Sequence, residues 1–178
     1  LKNFGIETTY YHPLIGKNIS DHFKPNTRIV FTESPGSHSF EIQDIPAISR
    51  VCKPRGIKVL LDNTWSAGYY YKAFDHGVDI SIQAATKYYV GHSDAMLGSI
   101  TANKETYDQV RETSRILGYH APPDDCYLGL RGIRTLSVRM QQHEKNALEV
   151  AKWLEGRQEV HKVLHPAFKS CPGHDIWK

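Results

Sequence analysis

Lys87, in the run Gln83-Ala84-Ala85-Thr86-Lys87-Tyr88-Tyr89, and Asp62, closing Lys58-Val59-Leu60-Leu61-Asp62, are the side chains whose types and settings best suit chemistry. A lysine amine attacks an aldehyde once desolvation or a neighbouring cation lowers its pKa. A carboxylate at the mouth of a buried strand can keep a pyridine nitrogen protonated, so that the ring accepts electrons from an adjacent carbanion. Together the two suit pyridoxal phosphate, with Lys87 on its aldehyde and Asp62 on its ring nitrogen. Thr86 adds a hydroxyl suited to a phosphate oxygen, and Gly91 and Gly98 allow close backbone approach. Ala84, Ala85, Tyr88 and Tyr89 are expected to surround Lys87 with a low-dielectric pocket. Each residue alone also has a structural use, the lysine as a snorkelling or paired charge and the aspartate as a helix cap.

The elements that must position this pair are legible in outline. Thr27 to Thr32 is a short β-branched run that stops at Pro35-Gly36, a strand followed by a turn. Asp44 caps a helix carrying Ile45, Ile48, Val51 and Cys52 at helical spacing, with Pro46 tolerated in its first turn and Gly56 closing it. Lys58 to Leu61 is a buried strand, then a tyrosine-rich crossover runs from Gly68 to Gly77, and Val78 to Gln83 is a further strand. This βαβαβ alternation predicts an α/β fold with a largely parallel sheet, in which ligands bind outside the carboxyl ends of the strands. Ala95 to Ala102 is another strand candidate. From about Asp124 to Leu154 one or two long helices are expected, with Leu130, Ile133, Leu136, Met140, Ala147, Ala151 and Leu154 as a buried stripe. Pro122-Pro123 marks a break before them.

Composition bounds the function class. With 178 residues, 40% hydrophobic and 23% charged, the chain has enough apolar content for one substantial core and is neither disordered nor fibrous. A net charge of +3, scattered and without basic runs among aromatics, argues against nucleic acid as a partner. Cys52, Cys126 and Cys171 are odd in number and widely spaced, as reduced thiols are in a reducing compartment. There is no apolar run of membrane-spanning length, and LKNFGIETTYY has no signal-peptide character, so the cytoplasm is the expected location and no membrane partner is expected.

Longer motifs add a second line of inference. FGIETTYYHPLIG, ESPGS, DNTW, ATKYYVGHSDAMLG, GLRGIRTLSVRMQQHEKNALEVAKWL and the closing HPAFKSCPGHDIWK span nearly the whole chain. In these the sequence resembles the trans-sulfuration, or Cys/Met-metabolism, family of pyridoxal-phosphate enzymes. The resemblance implies Lys87 as the cofactor-holding lysine, Asp62 as the pyridinium partner and Thr86 as a phosphate ligand. It also implies the fold-type I large domain over residues 1–133, with an antiparallel strand near Ala95 to Ala102, followed by the start of a smaller C-terminal α+β domain over 134–178. Ala84 and Ser37 stand where many γ-acting members carry serine and asparagine, and both departures resemble the β-lyase branch, which cleaves L-cystathionine. Ala84 has no side chain for phosphate, while Ser37 is placed near the cofactor's phenolic oxygen. By the same resemblance the complete protein is a homotetramer built from dimers with shared sites.

The chain opens on Leu1 and is expected to be an internal segment of a protein about twice as long. Further phosphate ligands, the ring-stacking aromatic and the arginine for the substrate carboxylate would then lie outside it. A γ-acting lyase or synthase, and an inactive structural segment, remain alternatives. Other constellations are weaker. His161 and His165 have the i,i+4 spacing of zinc helices but lack the glutamate of H-E-x-x-H, and are expected on an exposed strand with no metal. His92 suits a loop-orienting role or acid/base work. Tyr88 suits packing or stacking, and Arg131 and Arg134 suit a solvated helix face or an anion. Nucleotide-binding and serine-hydrolase motifs are absent.

Overall fold

A computed structural model describes residues 1–178. Its centre is a four-stranded sheet in the order β1 (Ile29–Glu33), β2 (Lys58–Asp62), β3 (Ile80–Gln83), β4 (Ser99–Ala102). The first three strands run parallel, with Glu33 beside Asp62 and Asp62 beside Ile82, and β4 lies antiparallel to β3. The carboxyl ends of β1, β2 and β3 therefore share one edge, where the loops bearing Ser37, Asp62 and Lys87 emerge.

One face of the sheet makes the core. Val30, Val59 and Leu61 pack with Ile45, Ile48 and Cys52 of α1 (Ile45–Cys52). The helix begins where predicted, because Asp44 Oδ1 accepts the Ala47 N–H at 2.9 Å and satisfies a donor that the first turn leaves free. A 3-10 turn, Lys53–Arg55, and left-handed Gly56 then reverse the chain into β2. The opposite face is bare: Ile29, Phe31 and Ile100 point outward and are more than half exposed. A parallel sheet normally covers both faces, and this chain covers one.

Three sequence expectations need correction. The crossover from β2 to β3 holds no α-helix; it is a series of turns from Thr64 and a 3-10 turn at Ala73–His76. Ala67 and Gly68, at φ 52° and 61°, break any helical run there, and three consecutive tyrosines have weak helix propensity. The long helical region divides into α3 (Pro123–Ile133) and α4 (Leu136–Glu155), and its apolar stripe is only partly core. Met140 and Ala151 are buried, while Leu130, Ile133 and Ala147 are exposed, because no other element of the chain lies over them. The stretch from His161 to His165 forms no strand. His165 instead packs its ring at 6.4 Å from Trp65 and 5.5 Å from Phe168. A helix that the sequence analysis did not announce, α2 (Tyr107–Ile116), buries no residue. A short α5 (His174–Trp177) ends the chain, and no helix is long and apolar enough to cross a membrane.

Candidate active site

The site is built where β2 and β3 stop. Asp62, half-buried at the last position of β2, accepts the Thr64 N–H on Oδ1 at 3.0 Å. That bond fixes the carboxylate in a short side-chain turn and leaves Oδ2 without a partner, open to a donor such as a protonated ring nitrogen. Four residues beyond the end of β3, Lys87 lies in a tight turn closed by bonds from Lys87 N to Ala84 O (2.9 Å), Val90 N to Ala85 O (2.9 Å) and Gly91 N to Lys87 O (2.7 Å). Gly91 takes φ 81°, which closes the turn without a Cβ penalty.

The surroundings of Lys87 differ from the expectation. Ala85 and Val90 are buried under the turn, but Lys87 itself is exposed and its Nζ makes no hydrogen bond or ion pair. The turn anchors itself through its apolar residues and sends the lysine off the sheet edge, so the neighbouring alanines and tyrosines do not enclose it. Tyr88 packs instead against His143 at 5.8 Å. The phenol of Tyr89 is raised by burial.

Thr86 and Ser37 both hold their hydroxyls in protein contacts. Thr86 Oγ1 donates to Leu97 O at 3.1 Å and accepts the Leu97 N–H at 2.9 Å. Leu97 O also receives the Thr86 N–H at 2.9 Å, so the hydroxyl hydrogen can turn to a phosphate oxygen without orphaning that carbonyl. Ser37 is exposed and donates its hydroxyl to Glu33 Oε1. An open carboxylate oxygen, a free amine and a releasable hydroxyl on one sheet edge fit the polar groups of pyridoxal phosphate.

The remaining candidates scatter. His92 turns its Nδ1 to Val90 O at 2.8 Å, an orienting contact within its loop. Arg131 and Arg134 are exposed, and His161 and His165 join no group of three ligating side chains.

The sequence pattern gave no sign of the support behind the Lys87 turn. Gly132 of α3 abuts its backbone, and Arg139 of α4 lies over Gly91 while donating to Gly132 O (2.8 Å) and Thr135 Oγ1 (3.1 Å). Two further bonds tie α4 to the β2–β3 crossover, from Gln141 Nε2 to Tyr69 OH (2.8 Å) and from Tyr70 OH to Glu144 (2.7 Å). The phenol of Tyr70 is pushed up to about 12 by desolvation and by that carboxylate. The contacts with the Lys87 turn and the crossover join residues 43 to 74 positions apart, beyond the range of any local periodicity.

Comparison with known proteins adds a global result. The family model described as Cys/Met metabolism PLP-dependent enzyme matches residues 1–178. The chain is 52% identical, over its whole length, to a relative from Rhizobium johnstonii. It is 49% identical over 179 residues to a cystathionine beta-lyase of Haemophilus influenzae and 46% over 181 residues to that of Escherichia coli, covering 99% and 100% of the chain. These alignments take in 45%, 45% and 46% of the three relatives, so the chain spans about half the length of the curated relatives it matches. A cystathionine gamma-lyase of Dictyostelium discoideum is 34% identical, and an L-alanine/L-glutamate racemase of Wolbachia pipientis 41%.

Proposed function

Because the chain belongs to the Cys/Met metabolism family of pyridoxal-phosphate-dependent enzymes, we propose that the protein carrying it is a carbon–sulfur lyase that cleaves L-cystathionine by β-elimination to homocysteine, pyruvate and ammonia. The mostly parallel sheet is that of a fold-type I enzyme segment. The observation that carries the reaction type is the higher identity to cystathionine beta-lyases, 49% and 46%, than to a gamma-lyase, 34%. Ala84 and Ser37 agree with it, since by the family resemblance they stand where many γ-acting members carry serine and asparagine.

When bound, pyridoxal phosphate supplies a ring that accepts the electrons left at the substrate Cα. In the proposed assignment Asp62 holds the ring nitrogen protonated through the open Oδ2, and the Thr64 N–H keeps the carboxylate turned toward it. Lys87 Nζ holds the cofactor through its aldehyde carbon. Once displaced by the substrate's own amine, the Lys87 amine would take the Cα proton, and the homocysteine thiolate would leave from Cβ, water then releasing pyruvate and ammonia. Thr86 Oγ1 would donate to the phosphate, and Ser37 would serve the phenolic oxygen. Lys87 is exposed in this chain, so any desolvation of its amine must come from groups added around it.

The proposal includes the division into a cofactor-binding part, 1–133, and the start of a second domain, 134–178. It also includes a cytoplasmic homotetramer for the complete protein and an inactive isolated segment. The test is product analysis with the complete protein and L-cystathionine. Homocysteine with pyruvate is expected; cysteine with 2-oxobutyrate would make the enzyme γ-acting. No keto acid from L-cystathionine, with racemisation of L-alanine supplied in a parallel reaction, would assign Lys87 to proton return instead of elimination.

A further inference from the structure

In the run Asp62-Asn63-Thr64-Trp65, the chemistry above uses the aspartate side chain and the Thr64 N–H, but not the Thr64 hydroxyl. Thr64 is 8% exposed and sits between the two site loops. Its N–H donates to Asp62 Oδ1 at 3.0 Å, and its Oγ1 accepts the Ala84 N–H at 2.8 Å. The carbonyl of Ala84 in turn accepts the Lys87 N–H at 2.9 Å. Three hydrogen bonds therefore lead from the carboxylate of Asp62 to the backbone of Lys87, and Thr64 makes the first two of them.

The second of these bonds replaces a rung of the sheet. Strands β2 and β3 stay paired to Asp62 and Ile82, and Asn63 N donates to Ile82 O at 2.8 Å. A parallel ladder continued by one step would send the Ala84 N–H to the Asn63 carbonyl. It goes to the Thr64 hydroxyl instead, while the Asn63 side chain turns away to Ser66 Oγ (2.6 Å) and Tyr71 O (3.1 Å). The β2 chain is thus free to bend into its turn, yet the two loops stay joined.

Resting on the assignment of Asp62 and Lys87 to pyridoxal phosphate, we propose that Thr64 is a positioning residue: its hydroxyl holds the Lys87 turn at a set distance from the Asp62 carboxylate. The amine that holds one end of the cofactor and the carboxylate that meets the other are then parts of one frame. Loss of the hydroxyl leaves the Ala84 N–H unpaired and lets the two loops move independently.

Thr64→Val keeps the shape and removes the acceptor, whereas Thr64→Ser keeps the acceptor. In the complete protein, Thr64→Val is expected to weaken cofactor uptake by the apoprotein about tenfold, the scale of one buried hydrogen bond. It should also shift the pH midpoint of the visible absorption band of the loaded protein, and Thr64→Ser should restore both. Wild-type affinity and an unchanged midpoint in Thr64→Val would overturn the proposal. Should that variant not fold, Thr64→Ala and Thr64→Ser form a second pair that differs only in the hydroxyl, and equal affinities in these two would overturn it as well. Lys87→Ala and Asp62→Asn measured alongside separate the two levels. If those leave the band unchanged, the cofactor assignment fails; if they alter it and the Thr64 variants do not, only the role of Thr64 fails.

Discussion

Gly132 of α3 meets Tyr89 of the Lys87 turn backbone to backbone, so closely that a Cβ on Gly132 would lie 2.0 Å from the Tyr89 carbonyl oxygen and 2.4 Å from that of Val90. No rotamer change relieves such a clash, because the obstructing atoms are main chain. Gly132→Ala is therefore expected to push α3 off the turn. The cost is at least that of an overpacked core, about 1–3 kcal/mol, read as a fall in melting temperature. Gly98→Ala is the control, since nothing lies within 4 Å of its would-be Cβ. Equal melting temperatures for the two variants would show that the helix contact carries no weight.

Lys87 is free of partners and stands at the carboxyl edge of the sheet beside the Asp62 loop. Borohydride reduction of the complete protein in the presence of pyridoxal phosphate, followed by peptide mapping, is expected to find the pyridoxyl group on Lys87. Lys72, which donates its ammonium to Gly68 O at 2.7 Å, is engaged elsewhere and should stay unmodified. An adduct on Lys72 or Lys104 would reassign the site.

Asp62→Asn keeps the Thr64 contact, because an amide oxygen can still accept that N–H, but it removes the negative charge. Cofactor should remain bound while elimination falls roughly 10²-fold or more, as loss of a positioned charge of a few kcal/mol predicts. Steady-state turnover with L-cystathionine measures it, and near-normal turnover would leave Asp62 a purely structural turn residue.

Alkaline stability should follow the core thiol. Burial, the largest cause, pushes Cys52 from an ordinary value of 9.0 up to about 11. Burial likewise pushes Tyr11, whose phenol donates to Gln43 Oε1 at 2.8 Å, from 10.0 up to about 12. Both groups are neutral below pH 9 in either state, so their contribution is complete there. Between 9 and 11 the unfolded thiol ionises first and the unfolded state holds fewer protons, so stability falls as pH rises. Urea unfolding from pH 8 to 11 should show this decline, and Cys52→Ala, less stable at neutral pH, should show a shallower one. A parallel decline in both proteins would mean that Cys52 takes no part.

Asp62 and Lys87 could be nominated from the sequence because each is set by a local pattern at the end of a short apolar run: Asp62 closes β2, and Lys87 lies four residues beyond β3, both at the carboxyl edge. Asp44 as a cap and Gly56 as a helix stop were legible for the same reason, each acting on atoms a few residues away. The apolar run marked β4 as a strand, while its antiparallel sense was expected from family resemblance alone. Only the tertiary structure decided how exposed Lys87 is, that the Thr64 hydroxyl takes the place of a sheet rung, and that Gly132 and Arg139 brace the lysine turn. It also decided that three of the seven residues of the α3–α4 stripe, Leu130, Ile133 and Ala147, stay in solvent. A periodic sequence states which face of a helix is apolar, but the bond from Ala84 to Thr64 and the contact of Gly132 with Tyr89 depend on segments 20 and 43 positions apart meeting in space, and no local regularity encodes that meeting.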